Sequence, residues 1–234
     1  MTKRVVITGM GVVSPIGNDV NTFWNNLVNG VCGIDYIEDF PTDNLPVKIA
    51  GKIKNFHPEE YGMDKPFIRK QDLFTQFGMA AAYQAMQQAG LVTEGEDKNI
   101  DPFRLGVYVG SGIGGFEIQY RETAKMIDDP SGQWVSPLFI PTMISNIAAG
   151  HIATKHHAEG PCIDVVTAAP LLRTISVRHS GLSATVMPTP SSQEAVRMRQ
   201  FLSESQVLPM QRHFPVLKTR NTHLFRSTAT VEVS

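Results

Sequence analysis

A chain of 234 residues, 42% hydrophobic and 18% charged, is long enough to bury a sizeable core as one generous domain or two small ones. Its net charge of −1 gives no reason to expect nucleic acid or an acidic membrane surface as a partner. Two cysteines, Cys32 and Cys162, are too few for a disulfide framework and lack the CxxC spacing of a zinc site.

The apolar run at residues 5–13 is broken by Thr8, Gly9 and Gly11, so neither a signal peptide nor a membrane span is expected, and the chain reads as cytoplasmic. Within that run, residues 4–8 are largely β-branched and stop at Gly9, which predicts a short buried strand. Asn18 is placed to cap a helix whose apolar positions Val20, Phe23, Trp24, Leu27 and Val28 keep helical spacing and which stops at Gly30. A second helix is expected from about residue 71 to 88, with Leu73, Phe77, Ala81 and Ala85 on one face and Gly90 as its stop. Residues 105–109 predict a second strand, running into Gly110-Ser111-Gly112-Ile113-Gly114-Gly115. Pro141 suits the first turn of a helix followed by Ile144, Ile147 and Ala148. Residues 162–167 predict a third strand, after which the chain should turn into a helix. Strands alternating with helices imply an α/β layered fold with a largely parallel sheet.

The composition breaks after residue 168. Residues 1–168 hold 13 Lys+Arg against 19 Asp+Glu, a net charge of −6, and 18 of the 19 glycines. Residues 169–234 hold 8 Lys+Arg against 3 Glu, a net charge of +5, and one glycine, Gly181. Such a shift marks the boundary of a folded unit. No helical or alternating period persists in the tail; residues 195–202 are its best candidate helix, and an irregular segment without a domain is expected.

Several motifs invite chemistry. Gly9-Met10-Gly11 follows a strand, but a dinucleotide fingerprint needs a third glycine where Ser14 stands, and no acidic partner follows in a βαβ context. Gly110, Gly112 and Gly115 fit G-x-G-x-x-G; a lone match is weak, and these glycines are expected to let the backbone pack closely against something apolar. His156 and His157 are adjacent, so on a helix they point apart and do not ligate one ion from one face; a solvated helix end is expected. Cys162 starts an apolar strand with no base nearby in sequence, which fits a buried structural thiol better than a nucleophile.

Four segments taken together resemble one family. They are Arg4-Val5-Val6-Ile7-Thr8-Gly9-Met10-Gly11 followed by Ser14-Pro15-Ile16-Gly17; the glycine run 110–115; Asn146-Ile147-Ala148-Ala149-Gly150; and Gly160-Pro161-Cys162 running to Thr167-Ala168. Their order and spacing resemble the β-ketoacyl-acyl-carrier-protein synthases of type II fatty acid synthesis, closest to the synthase II branch, across residues 1–168. The resemblance implies a thiolase-like layered α/β fold of two similar halves, of which residues 1–168 form the N-terminal half, and a homodimer. It implies a decarboxylating Claisen condensation of an acyl thioester with malonyl-carrier protein, an acyltransferase reaction with no cofactor and no metal. The partners it implies are acyl carrier protein and acyl or malonyl thioesters, with no nucleic acid and no membrane. In the family a cysteine follows Thr-Ala at a strand tip and opens a helix, whose amides and dipole stabilise the thiolate; two histidines of the second half polarise the malonyl carbonyl. By the same resemblance Ile113 corresponds to a gate at the acyl pocket and Phe139 to a pocket wall near the dimer interface. Lys65, Arg69 and Lys70 correspond to a patch that meets the acidic carrier protein. Read without the family, Ile113 and Phe139 are plain core and the three charges need no partner.

The correspondence ends where Thr167-Ala168 is followed by Ala169 and Pro170, because a methyl group cannot form a thioester. His179, His213 and His223 all lack the family's His-Gly-Thr context. The chain is therefore expected to be catalytically dead. A shifted reading frame accounts for the tail: codons permitted for residues 169–180, with one T restored ahead of them, read Cys-Ala-Thr-Ser-Thr-His-Asn-Ile-Gly-Gln-Thr-Leu in the neighbouring frame. Residues 184–197 likewise permit Tyr-Gly-Asp-Ala-Asp-Ala-Ile-Val-Ala-Gly-Gly-Ser-Glu. Both runs are family-like and in the right order. Without a second half, residues 163–166 are expected to expose apolar edges. The alternative from another class is a non-catalytic partner like the chain-length factors, which lack the cysteine and pair with an active synthase; a nicotinamide-dependent oxidoreductase is a third.

Overall fold

The computed structural model describes residues 6–166 and the backbone of Ala229–Val233. Strand β1, Val6–Gly11, does not stop at Gly9 as expected but runs through both glycines. The cause is the neighbouring helix α3, Leu73–Gln88. A Cβ on Gly9 would lie 2.1 Å from the Ala85 carbonyl oxygen, and one on Gly11 would lie 1.9 Å from that of Ala81. The helix thus rests directly on the strand backbone, a separation that no larger residue permits. Nor is β1 buried throughout, since Val6 and Ile7 are exposed.

Helix α1, Val20–Val28, is capped by Asp19, whose carboxylate accepts from Thr22 N at 2.9 Å. Asn18, expected in that role, instead donates to the carbonyls of Lys54 and Asn55. The helix closes with Gly30 at φ 70° and Val31 N donating to Asn26 O, the left-handed ending that the glycine predicted. Of its apolar positions only Phe23 is buried; Trp24 and Val28 are exposed.

A short antiparallel pair, β2 (Asp35–Tyr36) with β3 (Ile49–Ala50), and helix α2 (Lys65–Lys70) lead into α3. The expected one-sided face of α3 is not observed. Leu73 is exposed, whereas Phe74, Phe77, Met79, Ala80, Ala81, Ala82, Ala85 and Met86 are buried around the circumference. Its alanines let β1 approach one side and helix α6, Ile147–Lys155, another. Phe74 and Phe77 join Leu105, Ala148, Ala149 and Ile152 in the core. Each such large side chain contributes roughly 1.5–3 kcal/mol through burial.

Strand β4, Val107–Val109, is fully buried and pairs in parallel with β5, Cys162–Asp164. Helices α4 (Phe116–Asp128), α5 (Phe139–Met143) and α6 lie between them in sequence; α4 and the break between α5 and α6 were not foreseen. Pro141 does sit in the first turn of α5, but the chain extends at Ile144 (ψ 142°) before α6 begins. Among the described strands the parallel expectation holds for β4–β5 alone, because β2 pairs antiparallel with β3 and β1 with β6, Ala229–Val233. That tail segment, Ala-Thr-Val-Glu-Val, is β-branched and alternating, contrary to the reading that no such period persists there. The candidate helix at residues 195–202 lies outside the described residues. No helix among the described residues is long and apolar enough to cross a membrane.

Candidate functional site

Because β4 and β5 are parallel and in register, Val107 opposite Cys162 and Val109 opposite Asp164, both chains leave the sheet at the same end. In α/β sheets that end is where ligands are received. β4 exits into the 110–115 loop, and β5 exits toward Thr167-Ala168-Ala169, the ladder continuing through Val165 N to Val109 O at 2.9 Å. Thr167, Ala168 and Ala169 lie outside the described residues.

The glycine loop folds onto α5. Ser111 is buried and its Oγ accepts from Gly114 N at 2.9 Å. Gly115 N donates to Met143 O at 2.7 Å, and a Cβ on Gly114 (φ 80°) would lie 2.5 Å from that same oxygen. The close packing expected of Gly110, Gly112 and Gly115 is therefore only partly realised. Gly112 faces open space, while Gly115 meets the backbone of Thr142 and Met143 and the Asp72 carboxylate rather than an apolar surface. Ile113, at the turn of this loop, is exposed and not core.

Asp72 is the buried residue that sequence reasoning missed. It caps α3, accepting from Phe74 N at 3.4 Å, and its Oδ2 accepts from Ile118 N, in the first turn of α4, at 3.1 Å. Burial raises its carboxyl pKa, against the lowering effect of those amides. With a carboxyl group already seated at the start of α4, the glycine-rich loop has no free helix terminus for a dinucleotide phosphate. Its cue was faint: one aspartate ahead of a helix whose apolar pattern starts beside it.

Phe139 opens α5 and is half-buried. The loop before it is held by Glu122, 1% exposed, which accepts from Ser136 N and from Lys125 Nζ, each at 2.8 Å. The Lys125 contact is the main cause that lowers the Glu122 pKa. Beyond α5, Ser145 Oγ donates to Asp164 Oδ2 at 2.6 Å, tying the α5–α6 connection to β5. Burial raises the Asp164 pKa, opposed by that bond. The 110–115 loop, which carries Ile113, is thus tied through Met143 to α5, the helix that Phe139 opens, and the Ser145–Asp164 pair ties the α5–α6 connection to β5. Sequence gave no sign of the last contact, which joins residues on separate elements. Ile163 and Val166 are exposed, matching the expectation of apolar edges near residues 163–166, and Leu138 and Ile140 around the start of α5 are exposed as well.

Lys65, Arg69 and Lys70 lie on α2, ahead of α3, and all three are exposed. Asp64 caps α2 through Phe67 N at 2.8 Å, and Phe67 packs edge-to-face on His151 of α6. Two further expectations are corrected. Cys162 is exposed, since β5 has β4 on one side only among the described strands, and desolvation followed by the Asp164 charge raises its thiol pKa, disfavouring thiolate. His156 is half-buried rather than fully solvated; burial, then Lys155 and His157, lower its pKa to about 4, while His157 is exposed and pairs with Glu94. No group of three metal-ligating side chains occurs among the described residues.

Residues 2–169 match the family described as Beta-ketoacyl synthase, N-terminal domain. A 3-oxoacyl-[acyl-carrier-protein] synthase 2 of Staphylococcus aureus is 44% identical over 166 residues, 71% of this chain and 39% of that protein. One from Vibrio cholerae is 42% identical, with the same coverage of both. The chain therefore spans about two fifths of the length of these curated relatives. Among solved structures, a beta-ketoacyl synthase from Burkholderia phymatum superposes with a TM-score of 0.75 at 20% identity, covering 99% of this chain and 59% of that one. The ishigamide ketosynthase/chain length factor gives 0.73 at 19%, covering 100% and 59%. A type II polyketide ketosynthase in complex with its acyl-carrier protein gives 0.71 at 18%, covering 99% and 62%. The ketosynthase-type α/β fold, the glycine loop seated on α5 and the match across residues 2–169 together place this chain in the β-ketoacyl synthase family.

Proposed function

We propose that residues 1–168 are the N-terminal half of a β-ketoacyl-carrier-protein synthase II of fatty acid synthesis, and that this chain does not itself condense. The observation that carries the reading is the residue at position 169. The family match runs to it, Thr167-Ala168 leads into it, and it is alanine. In the working reaction a thiolate attacks an acyl thioester and the carrier thiol leaves; malonyl-carrier protein then loses carbon dioxide, and the resulting carbanion attacks the acyl-enzyme and displaces the enzyme thiolate. Ala169 offers no lone pair for the first step. The relatives named 3-oxoacyl-[acyl-carrier-protein] synthase 2 support the substrate class.

In this reading Ile113 gates an alkyl tunnel and Phe139 forms a wall of it, the pocket needing apolar packing rather than hydrogen bonds. Lys65, Arg69 and Lys70 receive the acidic carrier protein. The tail, residues 169–234, is a shifted frame of the same gene. The nucleotide sequence around residue 168 and several hundred bases beyond tests this: a neighbouring frame encoding Cys-Ala-Thr-Ser and then a histidine-bearing second half supports it. An unshifted gene with no such continuation contradicts it.

The missing nucleophile also suits a chain-length-factor-like partner of an active synthase. Stoichiometric co-purification with such a synthase supports that role, and recovery of the chain alone opposes it.

A further inference from the structure

We propose that Asp72 is the positioning residue that sets where the 110–115 loop, and with it Ile113, stands; its bearing on acyl-chain choice rests on the function proposed above. α3 supplies much of the described core, Phe74, Phe77, Ala80, Ala82, Ala85 and Met86 among it, so its first turn is anchored by that packing. From that point one carboxyl group reaches two helices, accepting Phe74 N of α3 and Ile118 N of α4. Ile118 is the third residue of α4, and the loop ends one residue before that helix begins. The packing also fits only this arrangement, because a Cβ on Gly115 would come within 3.2 Å of Asp72 Oδ2 and 3.0 Å of Met143 Cα. The loop is thus clamped between Asp72 and α5, with Ile113 two residues from the clamp and beside the open turn at Gly112. Asp72 is only 5% exposed, so water does not replace either bond.

The two bonds are separable by chemistry. Serine caps α3 as well as aspartate does, but its side chain is one atom shorter in reach and does not span to Ile118 N. In the full chain, Asp72→Ser is expected to raise amide hydrogen exchange at residues 114–118 by about tenfold or more, the loss of one buried charge-assisted bond, while residues 80–86 change less than about twofold. Asp72→Asn keeps the reach but has one acceptor oxygen in place of two, so with that oxygen turned to Ile118 N it is expected to restore protection at 114–118 while the bond from Phe74 N is lost. Unchanged exchange at 114–118 in Asp72→Ser, or an equal rise at 80–86, overturns the proposal, as does failure of Asp72→Asn to recover it. If Asp72→Ser does not fold, the comparison of Asp72→Asn with the parent decides: protection kept at 114–118 while that of Phe74 N falls supports the proposal, and a fall at 114–118 equal to that at 80–86 overturns it. Binding of acyl-pantetheines of graded length to the same variants reads the pocket separately, so absence of acyl binding in the parent counts against the proposed function and leaves the exchange result to judge Asp72.

Discussion

Gln84 holds Val12 by both of its backbone groups: Oε1 accepts from Val12 N at 3.2 Å, and Nε2 donates to Val12 O at 3.1 Å. The same amide donates to Asn18 O at 2.8 Å, and Gln88, one turn on, receives Met10 N at 2.5 Å. Helix side chains here do what a neighbouring strand would do, satisfying one edge of β1 and its continuation while β6 occupies the other. Gln84→Ala leaves these partly buried groups unpaired and is expected to cost about 2–3 kcal/mol by urea denaturation. Gln88→Ala, at an exposed site with one bond, is expected to cost less than about 1 kcal/mol.

Two glycines test whether close approach or mere flexibility matters. Gly11→Ala puts a methyl group 1.9 Å from the Ala81 carbonyl oxygen, so α3 must move off β1. A loss of about 3 kcal/mol or more is expected, in the range of severe overpacking. Gly112→Ala meets nothing within 4 Å and its φ is not left-handed, so thermal unfolding should shift by no more than the equivalent of about 0.5–1 kcal/mol.

These residues also explain what was legible beforehand. Strand and helix existence came through at β1, α1, α3, β4 and β5 because each has a β-branched run or a helical period with a glycine stop. Gly30 and Gly90 end their helices in the left-handed region as read. What misled was the assumption that apolar means buried. Trp24, Val28 and Leu73 point outward, while Thr75 and Gln76 lie inside beside the alanines of α3. Periodicity finds one face and cannot register a helix surrounded on several sides. The site was legible only through resemblance, since Asp72–Ile118 and Ser145–Asp164 are contacts between elements and leave no local pattern.

His156 gives the fold an acid-side weakness. Its pKa, about 4 in the folded chain against 6.5 unperturbed, means the unfolded state binds the extra proton first. Stability should therefore be unaffected by this group above about pH 6.5 and fall as pH drops toward 4, by up to about 3 kcal/mol. Urea midpoints taken across that window should decline less steeply in His156→Asn than in the parent chain.

If α2 receives a carrier protein, its charge matters and its packing does not. Replacing Lys65, Arg69 and Lys70 together by glutamate should weaken carrier binding by at least about tenfold at low salt, with the effect shrinking as ionic strength rises. All three side chains are exposed, so the melting temperature should hold. Equal carrier affinity for parent and variant in a binding titration would remove the patch from consideration.

The most direct measurement supplies the purified chain, free of other synthases, with an acyl-carrier protein thioester and isotopically labelled malonyl-carrier protein. With Ala169 where the thiolate belongs, labelled carbon dioxide and ketoacyl product should stay at the level of the protein-free control. Ketoacyl product above that level, growing with the amount of this chain, would contradict the account.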